Sequence, residues 1–301
     1  MHEHPERWTM RIGLHALGIG DGARPEVIRA VAEAAEERGF ARLWAGEHVV
    51  LVDAPASSYP YADDGRIPVP AGADWLDPLL ALGFAAATTR RIELATGVLL
   101  LPEHNPVVVA KQAATLDVLS GGRFTLGVGI GWSAEEFAAL GVPFEGRGRR
   151  TEEYLAAMRE LWSEEVASFE GEFTRFRSVR VNPKPANGRR LPVVMGGNGD
   201  RALSRAVTAA DGWYGFNVSV SEAVERASVL AGLCAERGRP VEELTVAVAL
   251  TDGDPEVLAD LSRAGVTEVV LVASPPADPA AARDWVADLA RPWTAAARTR
   301  T

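Results

Sequence analysis

The sequence predicts an α/β chain closed into an eight-stranded (β/α)8 TIM barrel, and three observations carry that prediction. Short, nearly unbroken apolar runs recur eight times along the 301 residues, each followed by a stretch with helical periodicity or helix punctuation. The runs lack the polar–apolar alternation of half-exposed strands, as expected of parallel strands buried on both faces. A composition of 47% hydrophobic and 24% charged residues suits one barrel-sized core. No composition shift marks a second domain, so residues 1–301 read as a single unit.

The elements follow in order. Strand one spans Arg11 to Leu17; its helix opens at Pro25, a favoured first-turn residue, and runs to Arg38 with Gly39 as its stop. Strand two is Ala41 to Ala45 and helix two Trp75 to Thr89. Strand three is Ile92 to Leu100, followed by a helix from Pro106 to Leu119 that ends before Gly121-Gly122. Strand four is Arg123 to Val128, with helix four at Arg147 to Trp162. Strand five, Pro192 to Met195, precedes a helix at Asp200 to Ala209. Strand six, Gly212 to Phe216, precedes one at Ser221 to Arg237. Strand seven, Leu244 to Leu250, leads to Pro255 to Ala264. Strand eight, Glu268 to Val272, leads to Asp278 to Leu289.

Insertions interrupt this rhythm after strand two, after strand four and after helix four. Residues 49–73 are rich in Pro, Ala, Ser and Asp and contain Tyr59-Pro60-Tyr61. Residues 165–190 alternate through Phe169, Phe173, Phe176 and Val179, which suggests a short hairpin. Connections this long are either functional or surface excursions; in a barrel both are placed near the upper rim, over a cavity.

Charge and composition narrow the partners. A net charge of −10 argues against nucleic acid and anionic membranes. One cysteine, Cys234, excludes an intrachain disulfide. No window is apolar and long enough to span a membrane, and Met1 to Thr9 is polar, unlike a secretory signal. The expectation is a cytoplasmic protein acting on small molecules.

In such barrels the chemistry sits at the carboxyl ends of the strands. His15, His48 and His104, three of five histidines, fall at or just past strand ends, and Trp132, Met195 and Trp213 fall near others. Together they describe an aromatic, weakly polar cavity holding an acid/base group, since imidazole exchanges a proton near neutral pH. A lone histidine there is as readily structural; three on one face favour function. A catalytic metal is not expected. Strand one carries only His15, His2-Glu3-His4 precedes it, and no helix has a His-Glu-x-x-His spacing. Gly196-Gly197-Asn198-Gly199 opens a helix, so it is either a plain tight turn or a phosphate cradle of backbone amides. Gly127-Val128-Gly129-Ile130-Gly131 lacks the third glycine spacing of a dinucleotide fingerprint, and it reads instead as close backbone access for a flat ligand.

Several stretches carry a resemblance covering about residues 10–290. They are Arg38 to His48 (RGFARLWAGEH), Ala95 to Pro106 (ATGVLLLPEHNP), Ala110 to Arg123 (AKQAATLDVLSGGR), and Leu126 to Trp132 (LGVGIGW) with Glu135-Glu136-Phe137. Gly196-Gly197-Asn198 and Ala210 to Trp213 (ADGW) complete the set. The chain resembles the luciferase-like monooxygenase superfamily, in particular its actinobacterial oxidoreductases that use the deazaflavin coenzyme F420. The resemblance implies a hydride transfer between F420 and a small organic substrate; FMN with oxygen, in a two-component monooxygenase, is the alternative. It implies that His48 lies beside the reactive centre of the ring and that a cis peptide at Gly97-Val98 bulges against the ring's back face. Gly196, Gly197 and Asn198 would hold the phosphate, with Glu47 and Leu100 also at the cofactor. His15, Trp44, His104, Trp132 and Trp213 would line the substrate pocket. A homodimer is implied as well.

Departures narrow the chemistry. Sugar-phosphate dehydrogenases of this superfamily carry an acid where this chain has Trp132, and Lys111 and Lys184 are its only lysines. An apolar substrate, reduced at C=C or C=N or oxidised in reverse, suits Trp44, Trp132, Trp213 and Phe216 better. The acidic tail of F420 calls for cations, for which Arg147, Arg149, Arg150, Arg175, Arg177, Arg180, Lys184, Arg189 and Arg190 stand available; most of these are equally read as solvated faces.

Overall fold

A computed structural model describes residues 10–186, 188 and 190–298; His2, Glu3, His4 and Arg189 lie outside the described residues. The apolar runs form a closed barrel of eight parallel strands. These are β1 (Arg11–His15), β2 (Arg42–Ala45), β3 (Glu93–Thr96) with its continuation β4 (Leu99–Leu100), and β5 (Phe124–Gly129). An antiparallel hairpin, β6 (Ala167–Glu170) and β7 (Arg175–Val179), precedes β8 (Val193–Gly196), β9 (Gly212–Val218), β10 (Thr245–Leu250) and β11 (Glu268–Val272). Each barrel strand pairs with the next, β3 meets β5 directly, and β11 returns to β1 in register from Arg11↔Glu268 to His15↔Val272.

Helices α1 (Pro25–Arg38), α2 (Pro78–Thr88), α3 (Pro106–Ser120), α4 (Ala134–Ala139), α5 (Arg147–Ser163), α6 (Asp200–Ala209), α7 (Val220–Glu236), α8 (Leu258–Arg263) and α9 (Pro279–Arg298) complete the chain. Their ends follow local chemistry. Gly39 and Gly121 adopt φ of 84° and 73°, the left-handed conformation that closes α1 and α3. Among the described residues, no helix is long and apolar enough to cross a membrane.

Several boundaries differ from expectation for identifiable reasons. Helix α2 starts at Pro78 rather than Trp75, because the Asp77 side chain caps it by accepting the Leu80 N–H and Trp75 is drawn into a bridge with Ile19. The third strand breaks at the cis Gly97-Val98 bond. A six-residue helix, α4, occupies the insertion after β5, capped by Ser133. The helix expected over Pro255 to Ala264 is a 3-10 turn, Pro255–Val257, leading into α8. Helix α9 continues past Leu289 to Arg298 despite Pro292 within it.

Side chains alternate across the barrel wall. Ile12, Leu14, Leu43, Met195, Trp213, Val246, Val248 and Val269 pack outward beneath the helices. Trp44, Ala95, Val194, Tyr214, Ala247, Ala249 and Val270 fill the interior as a separate cluster. Trp44 stacks on Tyr214 with centroids 4.4 Å apart, and its Nε1 donates to Glu268 at 2.8 Å. Glu268 also accepts from Arg42 at 2.9 Å, and Arg42 donates on to Glu93. This charged layer closes the amino-terminal end of the barrel and leaves the opposite end for chemistry.

Candidate active site

Parallel closure brings the residues that follow each strand to one rim. At its floor lies His15, whose Nδ1 shares a 3.2 Å hydrogen bond with Tyr214 Oη. Burial pulls the His15 pKa down to about 4, so it is neutral at physiological pH. Trp44 lies beneath it with no exposed surface and forms the floor's support rather than a pocket wall. A Cβ at Gly97 would fall 3.1 Å from the Trp44 ring and 3.3 Å from His15.

The Gly97-Val98 peptide is cis, as the resemblance implied. Val98 reaches between Gly129 and Gly196, where added Cβ atoms would fall 2.6 and 2.9 Å from its methyl groups. Gly127 abuts Thr96, with which it exchanges hydrogen bonds of 2.7 and 2.8 Å, and a Cβ at Gly131 would strike Phe137 at 2.5 Å. The glycine run after strand four therefore makes room for the protein's own groups. Only tertiary packing reveals that.

Beside this wedge, His48 Nδ1 donates to Glu136 Oε2 at 2.7 Å. Glu136, on α4 and buried, also accepts the backbone N–H groups of Val49 and Val50 at 2.7 and 3.2 Å. The carboxylate thus fixes the imidazole's orientation and tautomer, leaving Nε2 for proton exchange. Trp75 and Trp132 set their rings edge-on to His48 at 5.0 and 5.7 Å. Glu136 was given no role by the sequence reading, although Ser133-x-x-Glu136 is a helix-start signature that placed a capped turn there.

Glu47 turns away from the cavity. It accepts the Leu100 N–H at 2.6 Å and pairs with His104 Nε2 at 3.0 Å, so it clamps the chain just past the cis bond. The Leu100 N–H is likewise committed to this clamp. Burial opposes charge on His104, but the bond to Glu47 and its charge prevail and raise the His104 pKa.

The insertion 49–73 does cover the rim. Ala56 and Ser57 donate to Glu135, Asn217 donates to the Tyr61 carbonyl, and Trp75 Nε1 donates to the Gly46 carbonyl. Tyr59 then lies on Trp132, and Tyr61 on Phe216, at ring separations of 5.3 and 5.5 Å. The second insertion is the hairpin. Its tip is held at α5 by Glu153, which accepts three consecutive N–H groups from Glu172 to Thr174, each at 2.8 Å.

At the β8 end, Gly197 sits at φ +107° and α6 begins after Gly199 without a side-chain cap. Its first-turn N–H groups are therefore open to an anion. Asn198 contributes backbone alone, because its side chain brackets Phe216, donating to its carbonyl at 2.8 Å and accepting its N–H at 3.1 Å. Trp213 does not line the cavity. It faces the helix layer with no exposed surface, and its Nε1 donates to the Gly197 carbonyl at 2.8 Å, supporting the cradle from outside. Met195 also faces outward.

The basic stretch is mostly spent. Arg149, Arg175, Arg180 and Arg190 pair with Glu172, Glu170, Glu165 and Asp211, Arg150 is buried against the Pro143 carbonyl, and Lys184 donates to the Leu161 and Glu164 carbonyls. Arg147 stands at the site, donating to the Gly131 carbonyl at 3.1 Å.

Glu103 is the unexpected group. It is buried, both oxygens lack a hydrogen-bond partner, and burial with the nearby Glu136 and Glu47 charges raises its pKa to about 9. It is a neutral acid at pH 7. Unfolding releases its proton between its ordinary value of 4.5 and about 9, so its contribution to stability falls as pH rises through that window. Glu103→Gln is expected to stabilise the protein at pH 8 by about 1–3 kcal/mol and to flatten the decline of Tm between pH 5 and 9. Parallel Tm curves for the two proteins would contradict this.

The chain is thus a capped (β/α)8 barrel whose carboxyl rim carries His48 held by a buried carboxylate and the uncapped start of α6. The chain belongs to the luciferase-like monooxygenase family, matched over residues 10–252. An uncharacterized protein of Mycobacterium tuberculosis is 38% identical over 265 residues, 87% of this chain and 91% of that one. An FMNH(2)-dependent dimethylsulfone monooxygenase of Pseudomonas putida is 33% identical over 142 residues, 46% of this chain and 39% of that one. The coenzyme F420-dependent tetrahydromethanopterin reductase of Methanopyrus kandleri shares the fold with a TM-score of 0.73 at 18% identity, over 95% of this chain and 99% of that one.

Proposed function

We propose that this chain is an F420-dependent oxidoreductase that moves a hydride between the deazaflavin and a small, largely apolar organic substrate, at C=C or C=N. The observation that carries the reading is the His48–Glu136 couple. It is an imidazole oriented by a buried carboxylate, on the same rim as the uncapped start of α6. That start fits a cofactor phosphate. Gly199 has open space around its Cα, and the one acid in the first turn, Asp200, is paired with Arg226 at 2.8 Å. Gly196, Gly197 and the α6 amides would hold the phosphate, and a bound deazaflavin would supply the hydride.

The protein's own groups do the rest. His48 Nε2 gives or takes the accompanying proton, and Glu136 holds the ring in position through Nδ1. Tyr59, Tyr61 and Trp132 exclude water from the rim. The motifs running from Arg38 to Trp213 support F420. The FMNH(2)-dependent relative favours the second reading, a two-component flavin monooxygenase, though it matches less than half of this chain.

Titrating the purified protein with F420 and with FMN, each oxidised and reduced, separates the two. F420 is expected to bind at least about tenfold more tightly, a difference of about 1.4 kcal/mol. Tight FMN binding without F420 binding would overturn the assignment.

A further inference from the structure

Residues 49–73 form neither helix nor strand, and Tyr59 alone among them is buried. Both ends of the segment are fixed. Glu136 accepts the Val49 and Val50 N–H groups at 2.7 and 3.2 Å. At the far end the Gly20 N–H donates to the Asp74 carbonyl at 2.9 Å, and the Leu76 N–H to the Gly18 carbonyl at 2.8 Å. The middle holds itself together, with the Tyr59 N–H donating to the Gly65 carbonyl at 2.8 Å and the Gly65 N–H to the Ala62 carbonyl at 3.0 Å. Two side chains from elsewhere tie this middle down. On α4, Glu135 accepts the N–H groups of Ala56 and Ser57 at 2.7 and 3.1 Å. On β9, Asn217 Nδ2 donates to the Tyr61 carbonyl at 2.5 Å. This second tie is placed by a backbone irregularity. Gly215 pairs with Val248 and Val218 with Leu250, so Phe216 and Asn217 stand opposite the single residue Ala249. The bulge puts Asn217 at φ 56°, which asparagine tolerates, and turns its amide toward residue 61.

Fixed ends, an internally bonded middle and few buried contacts are the marks of a segment that opens locally as a unit. The two ties are exposed, so water replaces their partners on opening. What lies beneath needs that opening. The His48 side chain is 8% exposed, its ring is set edge-on to Trp75 and Trp132, and Tyr59 lies on Trp132. A ring cofactor and a substrate do not both fit beside a group so enclosed. We infer that residues 51–73 are a lid, latched shut by Glu135 and Asn217, and that His48 becomes reachable when both latches release together. The inference rests on the oxidoreductase reading for what enters, and it adds how entry is controlled. Lifting the middle takes Tyr59 off Trp132 and Tyr61 off Phe216, while Glu136 keeps its bonds to His48, Val49 and Val50. The proton-exchanging group therefore stays in place as the cover moves, and closing the lid again shuts water out.

Asn217→Gly removes one latch and leaves a residue at ease with positive φ. In the whole protein, amide hydrogen exchange at Ala56 and Ser57, which are tied to the other latch, is expected to rise about threefold to tenfold, the opening factor for one lost hydrogen bond. Exchange in β1, β2 and β11 is expected to stay at its wild-type rate. Diethyl pyrocarbonate, which modifies a free imidazole nitrogen, serves as the entry probe and needs no cofactor. Its rate at His48 is expected to rise by a similar factor in Asn217→Gly and in Glu135→Ala. Unchanged exchange at Ala56 and Ser57 overturns the proposal, because the latches then act separately. Faster exchange with unchanged modification of His48 also overturns it, since the segment then moves without gating. So does faster exchange throughout the barrel strands, which reports general loosening. Titration of the wild-type protein with F420 and with FMN reports apart from these. Absence of F420 binding removes the oxidoreductase reading and leaves the lid standing, whereas failure of the coupled exchange removes the lid alone.

Discussion

His48→Ala is expected to keep F420 affinity within about twofold and to lower turnover by about 10²–10⁴-fold, the span of a lost general acid or base. The two effects separate because of how the residue is held. Its ring packs edge-on against Trp75 and Trp132, and its Nδ1 is tied to Glu136. Glu136 retains two backbone donors, Val49 and Val50, when the imidazole is gone, so the rim keeps its shape. The proposed phosphate cradle at Gly196-Gly197 lies at the end of a different strand, β8. Turnover measured against cofactor affinity reads both consequences, and unaffected turnover would remove His48 from the chemistry.

Glu268→Ala is expected to cost about 3–5 kcal/mol of stability, the range for breaking a buried ion pair by removing one partner. Glu268 has no exposed surface and satisfies both Arg42 and the Trp44 indole. Without it, buried Arg42 keeps only Glu93, and Trp44 loses its sole acceptor among the described hydrogen bonds. The damage is confined to the closed end of the barrel, so F420 affinity of the folded fraction stays unchanged. Chemical denaturation checks the figure; a loss below about 1 kcal/mol would mean that the network behaves like an exposed one.

Local signals carried the barrel. Pro25 and Gly39 delimited α1, Asp200 to Ala209 and Glu268 to Val272 matched their elements residue for residue, and the Phe169–Val179 alternation became a hairpin. Each of these depends on the chain's own φ/ψ preferences or on a period visible in a short window. The site was legible in part for the same reason: residues just past parallel strands must share one face, so His48, Gly97-Val98 and Gly196-Gly197 arrive together. Which way a strand residue points was not legible. Strands buried on both faces show no polarity alternation, so Trp213 and Trp44, both placed in the pocket from sequence, went to the outer layer and the floor.

Sequence alone therefore determined the architecture and the rim at which the strand-end residues gather, His48 among them. Tertiary structure decided the rest. It brought Glu136 to His48 across 88 positions, filled the glycine run with Val98 and Phe137, and paired Arg149, Arg175, Arg180 and Arg190 with nearby acids. These outcomes depend on distances between segments far apart in the chain, set by barrel closure and side-chain packing, and no local pattern encodes them.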